Sequence, residues 1–240
     1  MRRRERALAN CDPVMARLIA AAGPCRIETA LERPPFETLA SAIAHQQLNG
    51  AVARRILARF TALYAPAQFP QPAAVAATGD APLRAAGFSY SKIIALRDLA
   101  DKVCRGVVPT VAEMHTLDND AIVERITQVR GIGRWTVEMM LMFHLGRPDV
   151  LPVDDFGVCN GFRLAYGLKG MPRPRALAEF GARWAPHRSL AAWYLWRAVD
   201  LARERKLPRA GRAPRVALIQ ARSKPHRAKR PSAKRRRAAR

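Results

Sequence analysis

The chain has 240 residues, enough for one sizeable core, and 49% of them are hydrophobic, an ordinary share for a globular fold. No apolar run reaches the roughly 18 residues needed to cross a bilayer, and no long apolar stretch follows the basic start at Arg2, so neither a membrane span nor a secretory leader is expected. The 42 Lys and Arg against 19 Asp and Glu give a net charge of +23, which points to a polyanionic partner, nucleic acid first.

The charge is uneven. Residues 207–240 carry thirteen of the basic side chains and no acid, which leaves +10 on residues 1–206. The body is therefore basic in its own right. Residues 1–9 read as a loose basic arm, 10–205 as the folded domain, and 206–240 as a disordered basic tail that adds non-specific phosphate contacts. The four cysteines (Cys11, Cys25, Cys104 and Cys159) are widely spaced without a CxxC pair, so a disulfide framework or zinc site is not expected and a reduced, cytoplasmic setting fits best.

In chain order, Asn10 or Asp12 is placed to cap a helix with Pro13 in its first turn. Residues 35–47 and 50–64 form the next pair, the second with Val52, Ile56, Phe60 and Leu63 along one predicted face. A short helix fits 71–78, followed by a turn at Gly79-Asp80. Ser89 caps a helix to about Arg105, with Ile93, Leu96, Ala100 and Val103 as its apolar stripe and Arg97, Asp98, Asp101 and Lys102 facing water. Asp118 opens a helix to about Val129, and Arg134 to Leu145 is helical again. Asp154 or Asp155 caps a helix to Tyr166, and two more fit 173–184 and 189–205. No strand pattern of useful length appears, so the chain reads as all-α.

Two segments carry chemistry. In Val129-Arg130-Gly131-Ile132-Gly133-Arg134-Trp135-Thr136, two glycines one residue apart let the backbone turn sharply and approach another surface closely. The helix that follows offers unpaired N–H groups and a positive dipole end, a ready phosphate site, with Arg134 adding charge beside it. Pro152-Val153-Asp154-Asp155 lies where one helix and a return loop can bring carboxylates back towards that hairpin. Either aspartate could also serve simply as a helix cap.

The block Gly131-Ile132-Gly133-Arg134-Trp135-Thr136 followed by Pro152-Val153-Asp154-Asp155 resembles the helix-hairpin-helix base-excision glycosylases named for their hairpin, Gly/Pro-rich loop and Asp. Ile43 to Leu48, with its paired Gln46 and Gln47, resembles the family's helix end. Gly87 to Lys92, completed by Leu99-Ala100, and Ala192 to Arg197 resemble two further family segments. The likeness spans about residues 12–203 and is nearest the 3-methyladenine DNA glycosylase II branch. It implies two helical lobes, with the hairpin on DNA and the active site in the cleft between them.

It also implies roles. Asp155 becomes the catalytic carboxylate and Trp135, with Met139 one turn on, the pocket wall; Phe36, Tyr90, Trp193 and Trp196 are further aromatic candidates for the base pocket, each taken alone more readily a core residue. His45, Gln46, Gln47, Gly131, Gly133, Arg134 and Thr136 become DNA contacts, with Gln47 as the wedge that fills the emptied stack. The backbone carbonyls of Thr127, Val129 and Ile132 match positions that often hold a structural Na⁺ or K⁺. Strand-cleaving relatives carry a lysine where this chain has Trp135, so a monofunctional enzyme without lyase activity is implied. No cysteine follows Cys159, so the iron–sulfur cluster of some relatives is not expected. The expected partner is double-stranded DNA with alkylated bases, met by a monomer that is cytoplasmic and nucleoid-associated. The competing readings are a non-catalytic DNA-binding module, a glycosylase for hypoxanthine or ethenoadenine using His45 as an acid, and an RNA-binding protein.

Overall fold

The computed structural model describes residues 1–27 and 33–209. Within them the chain folds into thirteen α-helices with one 3₁₀ turn, and no strand occurs among the described residues. The disordered basic tail expected over residues 206–240 lies, from residue 210 on, outside the described residues.

The two ends of the described chain build one lobe. Helices α1 (Arg3–Cys11) and α2 (Pro13–Ala22) pack with α11 (Phe156–Ala165), α12 (Pro174–Gly181) and α13 (Arg188–Arg203), chiefly through α11 on α13 and α2 on α13. The other lobe holds α3 (Pro35–His45), α4 (Gly50–Ala62), α5 (Pro72–Ala77), α6 (Asp80–Ala86) and α7 (Tyr90–Cys104). The short α8 (Val111–Thr116) leads to the hairpin pair, α9 (Asn119–Ile126) and α10 (Arg134–Phe143). One continuous apolar core runs through both lobes, with Met15, Leu39, Phe60, Leu96, Leu141, Phe162 and Leu195 fully buried. Each such side chain stabilises the fold by roughly 1.5–3 kcal/mol.

The predicted loose arm is corrected: residues 3–11 are helical because two side chains anchor them. Leu8 is buried, and Glu5 is buried with its carboxylate accepting the N–H groups of Arg2 (2.7 Å) and Cys25 (2.9 Å) and the Tyr194 hydroxyl (3.3 Å). Burial opposes ionisation of Glu5, but these donors outweigh it and hold its pKa below the usual carboxylate value. Asp12 is the true cap of α2. Its buried carboxylate takes the Val14 N–H at 2.9 Å and also ties down Tyr166 (2.7 Å) and Trp184 (3.0 Å).

Three further expectations change. The buried stripe of α4 is Ala53, Ile56 and Phe60, while Val52 and Leu63 are exposed. Small Ala53, fully buried, lets the helix approach its neighbours on that face. Gly79-Asp80 is the start of α6, not a turn, since Pro82 sits in its first turn where the missing N–H costs nothing. Helix α8 was carried by a capping box, Thr110 with Glu113, that its short length hides in the sequence.

Candidate active site

The hairpin is built as its glycines require. Gly131 has φ +78°, a left-handed conformation suited to glycine, and Gly133 caps α10 with no side chain over the first-turn N–H groups. Both glycines are exposed. Two groups from the other lobe fix the turn: Gln46 Nε2 donates to the Gly131 carbonyl at 2.8 Å, and the Arg130 N–H donates to Asp98 at 2.6 Å. Asp98 therefore does not simply face water. Burial opposes its charge, but Arg130 and Lys102 lower its pKa below the ordinary value. Lys92 reaches from the first turn of α7 to the carbonyls of Ala44 and Gln46, at 2.9 and 2.8 Å, closing the C-terminus of α3.

Arg134, expected to offer its charge to DNA, is instead paired with Asp120 (3.1 Å) and Glu138 (3.0 Å). Glu138 is buried, and that burial pushes its pKa up against the pull of Arg134. What the hairpin presents outward is glycine backbone and a helix N-terminus rather than a free guanidinium at residue 134.

Asp155 is the N-cap of α11. Oδ1 accepts the Val158 N–H at 2.7 Å and the Trp196 indole N–H at 2.8 Å, and Oδ2 accepts the Trp135 indole N–H at 2.8 Å. One carboxylate thus caps the helix and binds both indoles. Its backbone aims the group, two indoles lock its plane, and the residue stays half-buried. Asp154 is exposed and makes no such contacts among the described residues. Gly157 leaves room for this arrangement: a Cβ there would sit 2.7 Å from Trp196 Cδ1 and 3.1 Å from Asp155 Oδ1.

Trp135 joins the carboxylate to a cavity of about 460 Å³. Its indole is half exposed, and with Met139 and Phe143 it forms the α10 wall, opposite Thr38 and Ala42 of α3. His45, Gln46 and Gln47 stand at the rim. Such a volume lies in the range of small-molecule pockets. Gln47 is exposed with φ +58°, a conformation uncommon for a side-chain-bearing residue, which pushes it out at the corner between α3 and α4. His45 Nδ1 lies 2.8 Å from the Ser41 carbonyl, so in the neutral ring Nε2 carries no proton to give. Thr136 lies in the first turn of α10 and lines the same cavity.

Two base-pocket expectations are not met. Phe36 is buried against Phe69 (ring centroids 6.1 Å apart) and borders a different groove, because its helix face turns towards α4 and α7. Tyr90 is exposed under the Arg84 guanidinium, 4.6 Å from its ring centre, away from the cavity. Trp196, read as a core aromatic, is the residue sequence reasoning undervalued: it stacks on Phe143 (5.8 Å) and holds Asp155. Its membership of the segment Ala192 to Arg197 was the only signal. Trp193 packs edge-on against Tyr194 and remains a packing residue. Replacing Trp196 with phenylalanine keeps the stack and deletes one donor. Turnover is expected to fall about 10-fold, the cost of one hydrogen bond to a charged group, with affinity for DNA unchanged; loss of affinity in a binding titration would contradict that positioning role.

At the hairpin, the Val129 carbonyl accepts the Ile132 N–H at 3.0 Å, whereas those of Thr127 and Ile132 accept none of the turn's backbone hydrogen bonds. Among the described residues no group of three or more His, Cys, Asp or Glu side chains gathers to hold a metal ion.

A model of the HhH-GPD superfamily of base excision DNA repair proteins matches residues 40–187, which run from within α3 to the threshold of α13 and include both the hairpin and Asp155. The chain belongs to that superfamily. DNA-3-methyladenine glycosylase 1 of Schizosaccharomyces pombe is 39% identical to it over 196 residues, covering 81% of this chain and 86% of the relative. A solved S. pombe 3-methyladenine DNA glycosylase in complex with abasic DNA superposes with a TM-score of 0.73 at 37% identity, over 84% of this chain and 98% of the other. A DNA-3-methyladenine glycosidase from Bacillus halodurans reaches 0.77 at 32% identity, over 85% and 92%.

Proposed function

We propose that this protein is a monofunctional DNA glycosylase that extrudes N-alkylated purines of the 3-methyladenine and 7-methylguanine type from duplex DNA and hydrolyses their glycosidic bond. The observation that carries the reading is the Asp155 carboxylate, clamped by three N–H donors and coupled through Trp135 to a cavity with room for a nucleobase. The basic body, the glycine hairpin and the similarity to 3-methyladenine glycosylases support it.

The chemistry follows from the lesion. A purine alkylated on a ring nitrogen is cationic and leaves without being protonated, so no general acid is needed and the orientation of His45 is no obstacle. Extrusion rotates the nucleotide by about 180° and costs a few kcal/mol, least for a damaged and poorly paired base. Gln47, pushed out at the α3–α4 corner, is placed to fill the gap. The cationic base stacked on the Trp135 indole gains on the order of 1–2 kcal/mol. As the bond breaks, the sugar takes on oxocarbenium character, and the carboxylate of Asp155 stabilises that charge and orients the attacking water. One carboxylate suffices because the leaving group needs no acid.

The exposed glycines and first-turn N–H groups of α10 grip phosphate without reading sequence. A monovalent cation on the carbonyls of Thr127, Val129 and Ile132 would add positive charge there. The absence of lyase activity rests on Trp135 occupying the position of the nucleophilic lysine, and on Lys92 being held by two carbonyls.

Incubating the protein with methylated duplex DNA and identifying the released bases by mass spectrometry tests this directly. Free 3-methyladenine and 7-methylguanine are expected, with intact abasic strands and no borohydride-trapped adduct. DNA bound but no base released would leave only a binding module, and a trapped adduct would establish a lyase.

A further inference from the structure

The cavity beside Trp135 has a second end. His144 follows Phe143 directly and caps α10. It lines the same cavity, is only 3% exposed, and its Nε2 has no hydrogen-bond partner among the described residues. Buried ring nitrogens without partners are rare, because leaving one unpaired costs stability that a repacked apolar side chain would recover. Apart from Glu138 on its far face, α10 buries apolar side chains, so a leucine or phenylalanine at 144 would suit the core better. Nδ1 is occupied: Thr38 Oγ1, from α3, lies 3.4 Å away. The hydroxyl can donate to Nδ1 or accept from it, and the Arg33 backbone carbonyl also faces the ring, so the imidazole presents Nε2 to the cavity as a polar atom whose proton the tautomer assigns.

We propose that His144 is a recognition residue whose Nε2 hydrogen-bonds a polar group on the edge of the extruded purine, a ring nitrogen or an exocyclic oxygen or amine, while Trp135 holds the base by its face. The inference rests on the reading that this cavity receives a flipped base, and it assigns the polar half of the pocket. A neutral ring is what a site for cationic bases requires, since an imidazolium would repel them. Burial holds the His144 pKa below its ordinary value, partly offset by the Arg33 backbone carbonyl; of the nearby charges, Arg33 lowers it further and Glu37 raises it. The contact also gives the pocket a way to select: a base that offers no complementary polar group at that edge leaves the buried Nε2 unpaired and is rejected.

The test compares wild type, His144→Phe and His144→Gln on duplexes carrying 7-methylguanine, with binding to an abasic-site duplex and thermal unfolding measured alongside. Phenylalanine keeps the shape and removes the ring nitrogen, whereas glutamine returns a hydrogen-bonding group near the position of Nε2. Excision kcat/KM for the phenylalanine variant is expected to fall roughly 10- to 100-fold, with abasic-duplex affinity and melting temperature unchanged, and glutamine to recover most of the loss. Thr38→Val, which removes the hydroxyl that orients the ring, is expected to lose activity about 10-fold without touching the base. Wild-type excision by His144→Phe, or loss of abasic binding and melting temperature in step with activity in both His144 variants, overturns the proposal. If the wild type releases no alkylated base, the glycosylase reading itself has failed, and this assignment falls with it.

Discussion

Replacing Asp155 with asparagine is expected to reduce excision of alkylated bases by about 10²–10³-fold or more, the loss seen when a preorganised electrostatic group is removed from a site. Asparagine is nearly as good an N-cap as aspartate, so α11 should still start at the same residue. The amide cannot, however, reproduce the carboxylate's set of acceptors. With its oxygen kept on the Val158 and Trp196 side, its NH₂ would face the Trp135 N–H, donor against donor. Trp135 is thus released as the charge is lost, which couples the carboxylate to the pocket wall. Affinity for an abasic-site duplex is expected to stay within a few-fold and the melting temperature within a few degrees. A parallel loss of DNA binding, excision and thermal stability would show that residue 155 is a structural cap and nothing more.

The largest structural effect is expected at Gly161, in the middle of α11. A Cβ there would lie 1.9 Å from the carbonyl oxygen of Leu195 and 2.5 Å from its carbon. These are backbone atoms of α13, which no rotamer change can move. Gly161→Ala must therefore drive apart the two helices with the most extensive packing in the fold. Overpacking of this kind costs about 1–3 kcal/mol and occasionally more, and a backbone clash belongs at the upper end. At about 2–4 °C per kcal/mol for a domain of this size, the midpoint should fall by roughly 6–12 °C. Activity should suffer beyond the stability loss, because α11 begins at Asp155 and Trp196 directly follows Leu195. A melting curve within 2 °C of wild type would mean that α11 and α13 are not as close as described. Gly157 works by the same principle at the site itself, where its missing side chain leaves the indole of Trp196 free to reach the carboxylate.

Much of this was legible in the residues. Helix starts depend on contacts three or four positions apart, and so Ser89 and Asp118 could be read as caps before any fold was known, and Asp12 and Asp155 each as one of two neighbouring candidates. The turn at Gly131 announced itself because a left-handed backbone selects glycine, and the all-α class followed from apolar periodicity with no alternating run. What lay beyond reach depended on distance in sequence. The register of α4 was misjudged because an alanine, not a larger apolar residue, faces the core, and only the neighbouring helices decide that. Phe36 and Tyr90 were plausible aromatics by type, but the packing of α3 sends one into the core, and the other stays on the surface under Arg84.

The sequence by itself determined the helical class, the hairpin, and the presence of a carboxylate at the head of one helix and an indole at the head of another. Those properties are written in local backbone preferences. Tertiary structure alone decided that the Asp155 oxygens meet Trp135, 20 positions back, and Trp196, 41 positions on, that Arg134 spends its charge on Asp120 and Glu138, and that Asp98 holds the turn. Such contacts form only when helices far apart along the chain are pressed together by the burial of their apolar faces, and no pattern within a single helix encodes which neighbour it will meet.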